Sequence, residues 1–471
     1  MDTVTRIPMT IGGATVASDE VIEVVNPATE AVWAEAPAAS KSSVDNAFTA
    51  AAEAAPSWGR DETARRKAVA AVADVMTRNI DELADLLTAE AGKTVSDSKL
   101  EIQGAAAWFS YFADLDVPWR ESIDPGRVTG VRRPLGVVAA ITPWNFPLAL
   151  AAWKLAPALR AGNTVVLKPS PYTPMATLRL GQLLQDVFPA GVLNVVSGGD
   201  EVGVAMTVHP LTAKVSFTGS VEAGKAVAAA VAPDLKRLTL ELGGNDPAIV
   251  LGDADVAATA EGLFAGGFYH NGQVCGAVKR VYVPERLYGP LAAELARIAD
   301  SKVVGDTRDS STQLGPVQNV NQYERVRGLL SDALKDGAQV AAGGQRVGER
   351  GYFLRPTILT DAHAGQAIVD EEQFGPVLPL IPYVDLADAI RQANDTHFGL
   401  GASVWGPNRD QLEEVALEIE SGTVYFNGHA LNYGPHVPFG GRKWSGIGSE
   451  NGLDGLKSFT HLQVLYGDVA V

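Results

Sequence analysis

The spacing of apolar positions changes near residue 131. Residues 40 to 90 carry Ala-rich runs with charges recurring on one face from Arg60 to Lys67, the signature of amphipathic helices. Pro56 is expected to break that run, because proline lacks the N–H a helix interior needs. This part reads as scaffold. From Val131 onward, short β-branched or apolar runs alternate with helical stretches: Gly136 to Ile141, Thr164 to Leu167, Leu193 to Val196 and Lys214 to Phe217. Parallel neighbours can be joined only by long crossovers, so this alternation predicts a helix-covered parallel sheet, an α/β nucleotide-binding domain. The alternation restarts with Arg237 to Leu240, Ala248 to Val250, Val278 to Val283 and Leu378 to Tyr383, which predicts a second α/β domain beginning near Leu240. No internal repeat or low-complexity segment occurs, and Ala-rich stretches such as Ala226 to Val231 read as helix interiors.

Composition narrows the function classes. With 471 residues, 46% of them hydrophobic, the chain can bury a large core in more than one domain, so a small binding module is excluded. A formal charge of -17 repels phosphate backbones and anionic lipid, which places nucleic acid and membrane surfaces last among partners. No apolar stretch reaches the roughly 18 residues of a membrane span, and the opening MDTVTRIPMTIGG lacks a basic region followed by an apolar one. A cytoplasmic location is the resulting expectation. The single cysteine rules out an internal disulfide and a Cys-based zinc cluster, and no metal site is expected. Cys275 is therefore either an inert core residue or a reactive thiol.

Three segments bear on that choice. In HNGQVCGAVKR, Asn271, Gly272 and Gly276 interrupt regular structure and put Cys275 on a tight loop, where catalytic side chains tend to sit. A lone cysteine is by default a core residue, but Lys279 and Arg280 stand close enough in sequence to lower the thiol pKa. The strand-like run RLTLE ends in Glu241, with Gly243 and Gly244 just after it. A carboxylate at a strand end, beside glycines that let a substrate approach, suits a general base; alone it would read as a solvated edge residue. In AAITPWNFPLAL a strand runs into Asn145, whose neutral amide suits either an oxyanion donor or a plain turn. Together the three segments supply a nucleophile, a base and a donor, a more specific combination than any one of them. Lys168 follows the strand Thr164 to Leu167 and can reach over the sheet's carboxyl edge, where open α/β sheets bind ligands. Gly219 and Gly224 flank a helix start that fits a phosphate, although the spacing is neither G-x-G-x-x-G nor a P-loop.

These residues resemble the aldehyde dehydrogenase superfamily, and the likeness runs over nearly the whole chain. PWNFPL, KPS-x-x-TP, FTGS-x-x-x-GK, ELGG-x-x-P, GQ-x-C, EE-x-FGP and PFGG-x-x-x-SG-x-G occur in the family's order. The resemblance implies a Rossmann-like cofactor domain (residues 1–119 and 137–240) and an α/β catalytic domain (241–425). It also implies a small β oligomerisation element (120–136 and 457–471), a return segment to the cofactor domain (426–456), and a homodimer or homotetramer. It makes Cys275 the nucleophile, Glu241 the base and Asn145 the side-chain oxyanion donor. Lys168 becomes the ribose contact, Ser220 the pyrophosphate contact, and Glu372 with Phe374 the pair positioning the nicotinamide half. Trp144, Ser170, Gly219 and Gly243 join the cofactor cleft, and Lys154 and Glu450 stand where relatives can relay protons from Glu241.

The implied reaction is oxidation of an aldehyde to a carboxylic acid with hydride transfer to NAD(P), through a thioester on Cys275 that water resolves. One departure bears on the coenzyme. Where many NAD-preferring relatives carry an acid in KP-x-E, this chain has Pro171, which leaves NAD and NADP both open; Lys168 as the only nearby cation in the sequence tips the reading to NAD. A CoA-acylating dehydrogenase and a non-catalytic protein on the same fold are the alternatives, and an intact Glu241 beside Cys275 and Asn145 argues against both. Trp153, Phe268 and Tyr269 adjoin the motifs and either line a tunnel for an apolar or aromatic aldehyde or serve as ordinary core aromatics.

Overall fold

In the runs VVAAI and TVVLK every residue is buried, as a parallel strand covered on both faces requires. The computed structural model, which describes residues 4–430 and 433–467, makes them the centre of an eight-stranded sheet. Its parallel strands are β1 (Val137–Ile141), β2 (Thr164–Lys168), β3 (Leu193–Val195), β4 (Thr212–Thr218) and β5 (Arg237–Glu241). The covering helices include α1 (Pro147–Arg160), α2 (Asp200–Val208) and α3 (Val221–Val231). The strands lie side by side in the order β5-β4-β1-β2-β3. The chain thus winds outward from β1 to β3 and then returns to the other side of β1, opening a crevice at the carboxyl ends where the winding reverses.

A second sheet of seven strands holds β6 (Asp246–Val250), β7 (Val278–Pro284), β8 (Thr357–Thr360), β9 (Val377–Tyr383), β10 (Gly401–Trp405) and β11 (Thr423–Phe426). Their order is β8-β9-β7-β6-β10-β11, all parallel, with Gln339–Ala342 added antiparallel to β8. Helix α4 (Val256–Phe268) precedes the Cys275 loop. Strand pieces Arg120–Asp124, Val128–Pro134 and Thr460–Tyr466 form a separate antiparallel sheet. The terminal strand expected at 457–471 spans Thr460–Tyr466; residues 468–471 lie outside the described residues. Gly446–Ile447 pairs antiparallel with β5, setting Gly446 against Glu241. Among the described residues, no helix is long and apolar enough to cross a membrane.

Two features differ from the sequence expectation. Helix Lys41–Trp58 runs through Pro56, because the proline falls in the last turn and forfeits one hydrogen bond rather than breaking a helix interior. Ahead of the helices, Thr5–Arg6, Val21–Asn26 and Ala31–Pro37 form a three-stranded sheet, and Met9–Ile11 joins the large sheet beside β3.

Candidate active site

Cys275 lies half-buried in the connection from α4 to β7. His270, Asn271 and Gly272, just upstream, hold positive φ values of 47°, 58° and 72°. For a residue with a Cβ this conformation costs on the order of 1 kcal/mol, so the surroundings must hold it. Asn271 Nδ2 donates to Gly315 O at 2.6 Å, and the Gln318 N–H donates to Gln273 Oε1 at 2.8 Å. Gly272 sits directly against the Gly375 carbonyl, where a Cβ would collide. This contact ties the thiol loop to the segment carrying Phe374.

Asn145 reaches the same loop from the first sheet. Buried Asn145 donates from Nδ2 to Gln273 O at 2.9 Å, two residues before the thiol. That bond uses one of the two amide hydrogens and leaves the other to donate. The turn carrying Asn145 is fixed from behind by Glu101, whose Oε1 accepts the Leu148 and Ala149 N–H groups at 2.9 and 3.1 Å. A carboxylate at a helix N-terminus is favoured by the dipole, and buried Lys93 balances its charge through an ion pair.

Glu241 ends β5, buried, with neither carboxylate oxygen hydrogen-bonded to the described residues. Burial holds its carboxyl well above the ordinary range, the Glu450 charge adds to this, and Lys154 opposes it. A carboxyl raised in this way accepts a proton readily near neutral pH. Lys154 Nζ donates to Glu450 Oε1 and to Thr218 Oγ1, both at 2.7 Å, and Ser216 Oγ donates to Glu450 Oε1 at 3.2 Å. Glu450 arrives on the segment whose Gly446 pairs with Glu241, so the strand register brings this network to the base.

The thiol environment corrects one expectation. Burial pushes Cys275 up to about 12; Lys279 opposes, while Glu372, Glu241 and Asp246 add to the rise. The thiol is therefore protonated at rest and needs a base. Arg280 does not face it. Lys279 and Arg280 are consecutive on β7, so they leave opposite faces of the strand. Lys279 Nζ donates to Val274 O at 2.7 Å, whereas Arg280 donates to Asn245 O and Ala393 O at 2.9 and 3.0 Å.

Several of the expected cofactor residues lie at or just past the carboxyl ends of strands in the first sheet. Buried Lys168 ends β2, and burial pulls its ammonium down to about 8 against Asp200 and Glu201. Ser170 lies in the following turn, where its hydroxyl accepts the Tyr172 N–H at 3.3 Å. Gly219 precedes Ser220, which caps α3 by accepting the Ala223 N–H at 3.2 Å. Gly224, one turn into α3, presses on Leu242, which its own Cβ would approach to 2.5 Å. The helix N-terminus capped by Ser220 follows directly on the carboxyl end of β4, an arrangement that suits a pyrophosphate. Glu372 lies against Gly243, whose Cβ would occupy the carboxylate's place, and accepts the Gly244 N–H at 3.0 Å. Phe374, at φ 52°, meets Trp144 edge-on with centroids 5.2 Å apart. These groups come from five motifs, and their chemistry, a buried ammonium, a capped helix N-terminus, a carboxylate and aromatic faces, fits a dinucleotide.

The substrate expectations divide. Trp153 stacks on Trp108 at 5.5 Å and meets Phe439 and Tyr433 at 5.3 and 6.0 Å, while Tyr433 carries the field of Glu241. Tyr269 tilts against Phe146, beside Asn145. Phe268 takes the second of the two roles expected for it, a core aromatic and not a tunnel residue: it is 1% exposed and stacks on Phe264, one turn earlier on α4. Tyr269 stands past the end of α4, and its ring packs on Phe146 while that of Phe268 packs on Phe264, so the two do not share a wall. Tyr433, Phe439 and Tyr425 escaped the sequence reading; their aromatic character just ahead of and within the PFGG segment was the available signal.

Residues 15–465 match the profile of the Aldehyde dehydrogenase family. A phenylacetaldehyde dehydrogenase of Pseudomonas fluorescens is 39% identical over 478 residues, covering 97% of this chain and 95% of that protein. Retinaldehyde dehydrogenase 3 of Mus musculus is 40% identical over 93% of this chain and 88% of that protein. Among solved structures, the NAD+ complex of a Bacillus cereus aldehyde dehydrogenase superposes with a TM-score of 0.95 at 35% identity, over 99% of this chain and 97% of that one. With its two winding sheets, its thiol, carboxylate and amide at one site, and a match over almost its full length, the chain belongs to the aldehyde dehydrogenase family.

Proposed function

We propose that this protein oxidises an apolar or aromatic aldehyde to its carboxylic acid with NAD, through a thiohemiacetal and then a thioester on Cys275. The observation that carries this reading is Glu241, a buried carboxylate without a hydrogen-bond partner among the described residues, whose charge acts on the Cys275 thiol. Glu241 takes the thiol proton, and the thiolate sulfur adds to the aldehyde carbon. The free amide hydrogen of Asn145 and the Cys275 N–H hold the oxyanion that forms. Bound NAD supplies the hydride acceptor that turns the thiohemiacetal into a thioester. Glu241 then deprotonates water, whose oxygen attacks the acyl carbon and releases the acid and the thiol. Lys154 and Glu450 relay the proton away from Glu241. A CoA-acylating route would not need this base, and acyl-CoA formation on adding CoA would favour it.

The coenzyme cleft takes residues 1–119 and 137–240, and the thiol side takes 241–425. The pairing of Gly446–Ile447 with β5 supports a return segment over 426–456. The hairpin at 120–136 and the terminal strand form an oligomerising surface; Leu462, Val464 and Tyr466 of that strand are exposed apolar residues. The assembly is a homodimer or homotetramer, and the location is cytoplasmic.

Asp200 and Glu201, in the first turn of α2, put acidic charge beside Lys168, which supports NAD over its 2'-phosphorylated form. Pro171→Glu is expected to raise the NAD to NADP ratio of kcat/KM several-fold, because a carboxylate there accepts from both ribose hydroxyls and repels a 2'-phosphate by about 1 kcal/mol. An unchanged ratio would remove position 171 from the ribose.

The aromatic group around Trp153 supports the substrate class. Across a panel of aldehydes followed by NADH absorbance, kcat/KM is expected to be highest for those with an aryl group. Trp153→Ala should cost aryl substrates about tenfold while short aliphatic aldehydes change little. Equal losses for both classes would contradict this placement.

A further inference from the structure

A second buried acid and base lie against the thiol loop, and the reaction above does not use them. Asp246 begins β6 and His429 follows β11; each is 1% exposed. His429 Nε2 stands 3.3 Å from Asp246 Oδ2, and none of the four side-chain polar atoms has a hydrogen bond to the described residues. Three glycines leave room for the carboxylate. A Cβ on Gly401 would strike Oδ2, one on Gly276 would reach 3.7 Å from it, and one on Gly244 would meet both Asp246 Oδ1 at 2.7 Å and Cys275 O at 2.6 Å. Asp246 thus packs beneath the Cys275 peptide and against the next residue.

The groups facing the thiol are Lys279 from β7, Glu372 beside Gly243, Glu241 from the end of β5, and Asp246. Tyr425 of β11 faces both Asp246 and Cys275, and its ring lies 5.2 Å from that of His429. On the α4 side, His429 packs against Gly266, where a Cβ would come within 2.8 Å of the His429 Cβ. A polar group this deeply buried needs a partner, and the His429 ring, 3.3 Å away, is the one in contact with the Asp246 carboxylate. We propose that Asp246 and His429 form a positioning pair for Cys275, in which His429 balances Asp246 and the charge of the pair sets how readily the thiol gives up its proton. Asp246 is among the charges that oppose the thiolate, in keeping with this arrangement.

The proposal rests on Cys275 being the nucleophile, and Cys275 is the only cysteine, so alkylation reads it without interference. The experiment is the rate of iodoacetamide alkylation against pH for wild type, Asp246→Asn and His429→Gln, with NAD binding and Tm as checks on folding. Asp246→Asn is expected to move the midpoint down by about one pH unit, so that alkylation at a fixed pH below it is about tenfold faster. His429→Gln should move it up, since Asp246 is then unbalanced. An unmoved midpoint in Asp246→Asn, or equal shifts in the same direction, overturns the proposal, because a structural role alone gives no opposite signs. Asp246→Ser replaces the asparagine variant if that does not fold. Failure of both to fold would make the pair a stability element and also overturn it. Turnover in a Cys275→Ala enzyme would instead strike at the nucleophile assignment, so the two failures are separable.

Discussion

Cys275→Ala is expected to lower kcat for every aldehyde by about four orders of magnitude or more, with NAD binding unchanged within a few-fold. The size of the loss follows from the chemistry: without sulfur there is no covalent adduct from which hydride can leave. The retention of NAD follows from the geometry, because Lys168, Ser220 and the α3 N-terminus stand on the first sheet, apart from the loop between α4 and β7. Alanine also removes little volume from a half-buried loop whose shape is held by Asn271, Gln273 and Gly272. Kinetics with an aldehyde panel and fluorescence titration with NAD check both halves. Residual turnover within tenfold of wild type would take Cys275 out of the reaction.

The pattern of the chain told more about strands than about the site's electrostatics. Continuous apolar runs such as VVAAI reveal parallel strands because both faces are buried, and each expected strand from β1 to β7 is present, with ends shifted by one or two residues. The strands before residue 40 are short and mixed in polarity, with their partners fixed by tertiary pairing, so no local period announced them. Cys275, Glu241 and Asn145 were legible because glycines and prolines mark the turns that carry them. The direction of the thiol shift was not, since sequence proximity says nothing of strand face: Arg280 turns to Asn245 and Ala393 while burial outweighs Lys279. Asp246 and His429 stand 183 positions apart and meet only through the order of β6, β10 and β11 in the second sheet.

Glu241→Gln carries the second large effect. The carboxyl is raised by burial and by Glu450, so it holds a proton at low pH and becomes a base only as pH rises through that elevated value. Wild-type deacylation should therefore gain rate with pH along a limb lying above the 4.5 of an ordinary glutamate. Glutamine has no basic oxygen, so that limb should vanish and steady-state turnover fall by about 10²- to 10⁴-fold. At pH values where some thiolate forms without the base, adduct formation is slowed less than hydrolysis, and the acyl enzyme accumulates. The decisive measurement is the intact mass of Glu241→Gln after incubation with NAD and an aryl aldehyde, followed by peptide mapping. A gain equal to one acyl group, confined to the peptide holding Cys275 and formed together with one equivalent of NADH, is the expected result; NADH production at the wild-type rate with no added mass on Cys275 would contradict it.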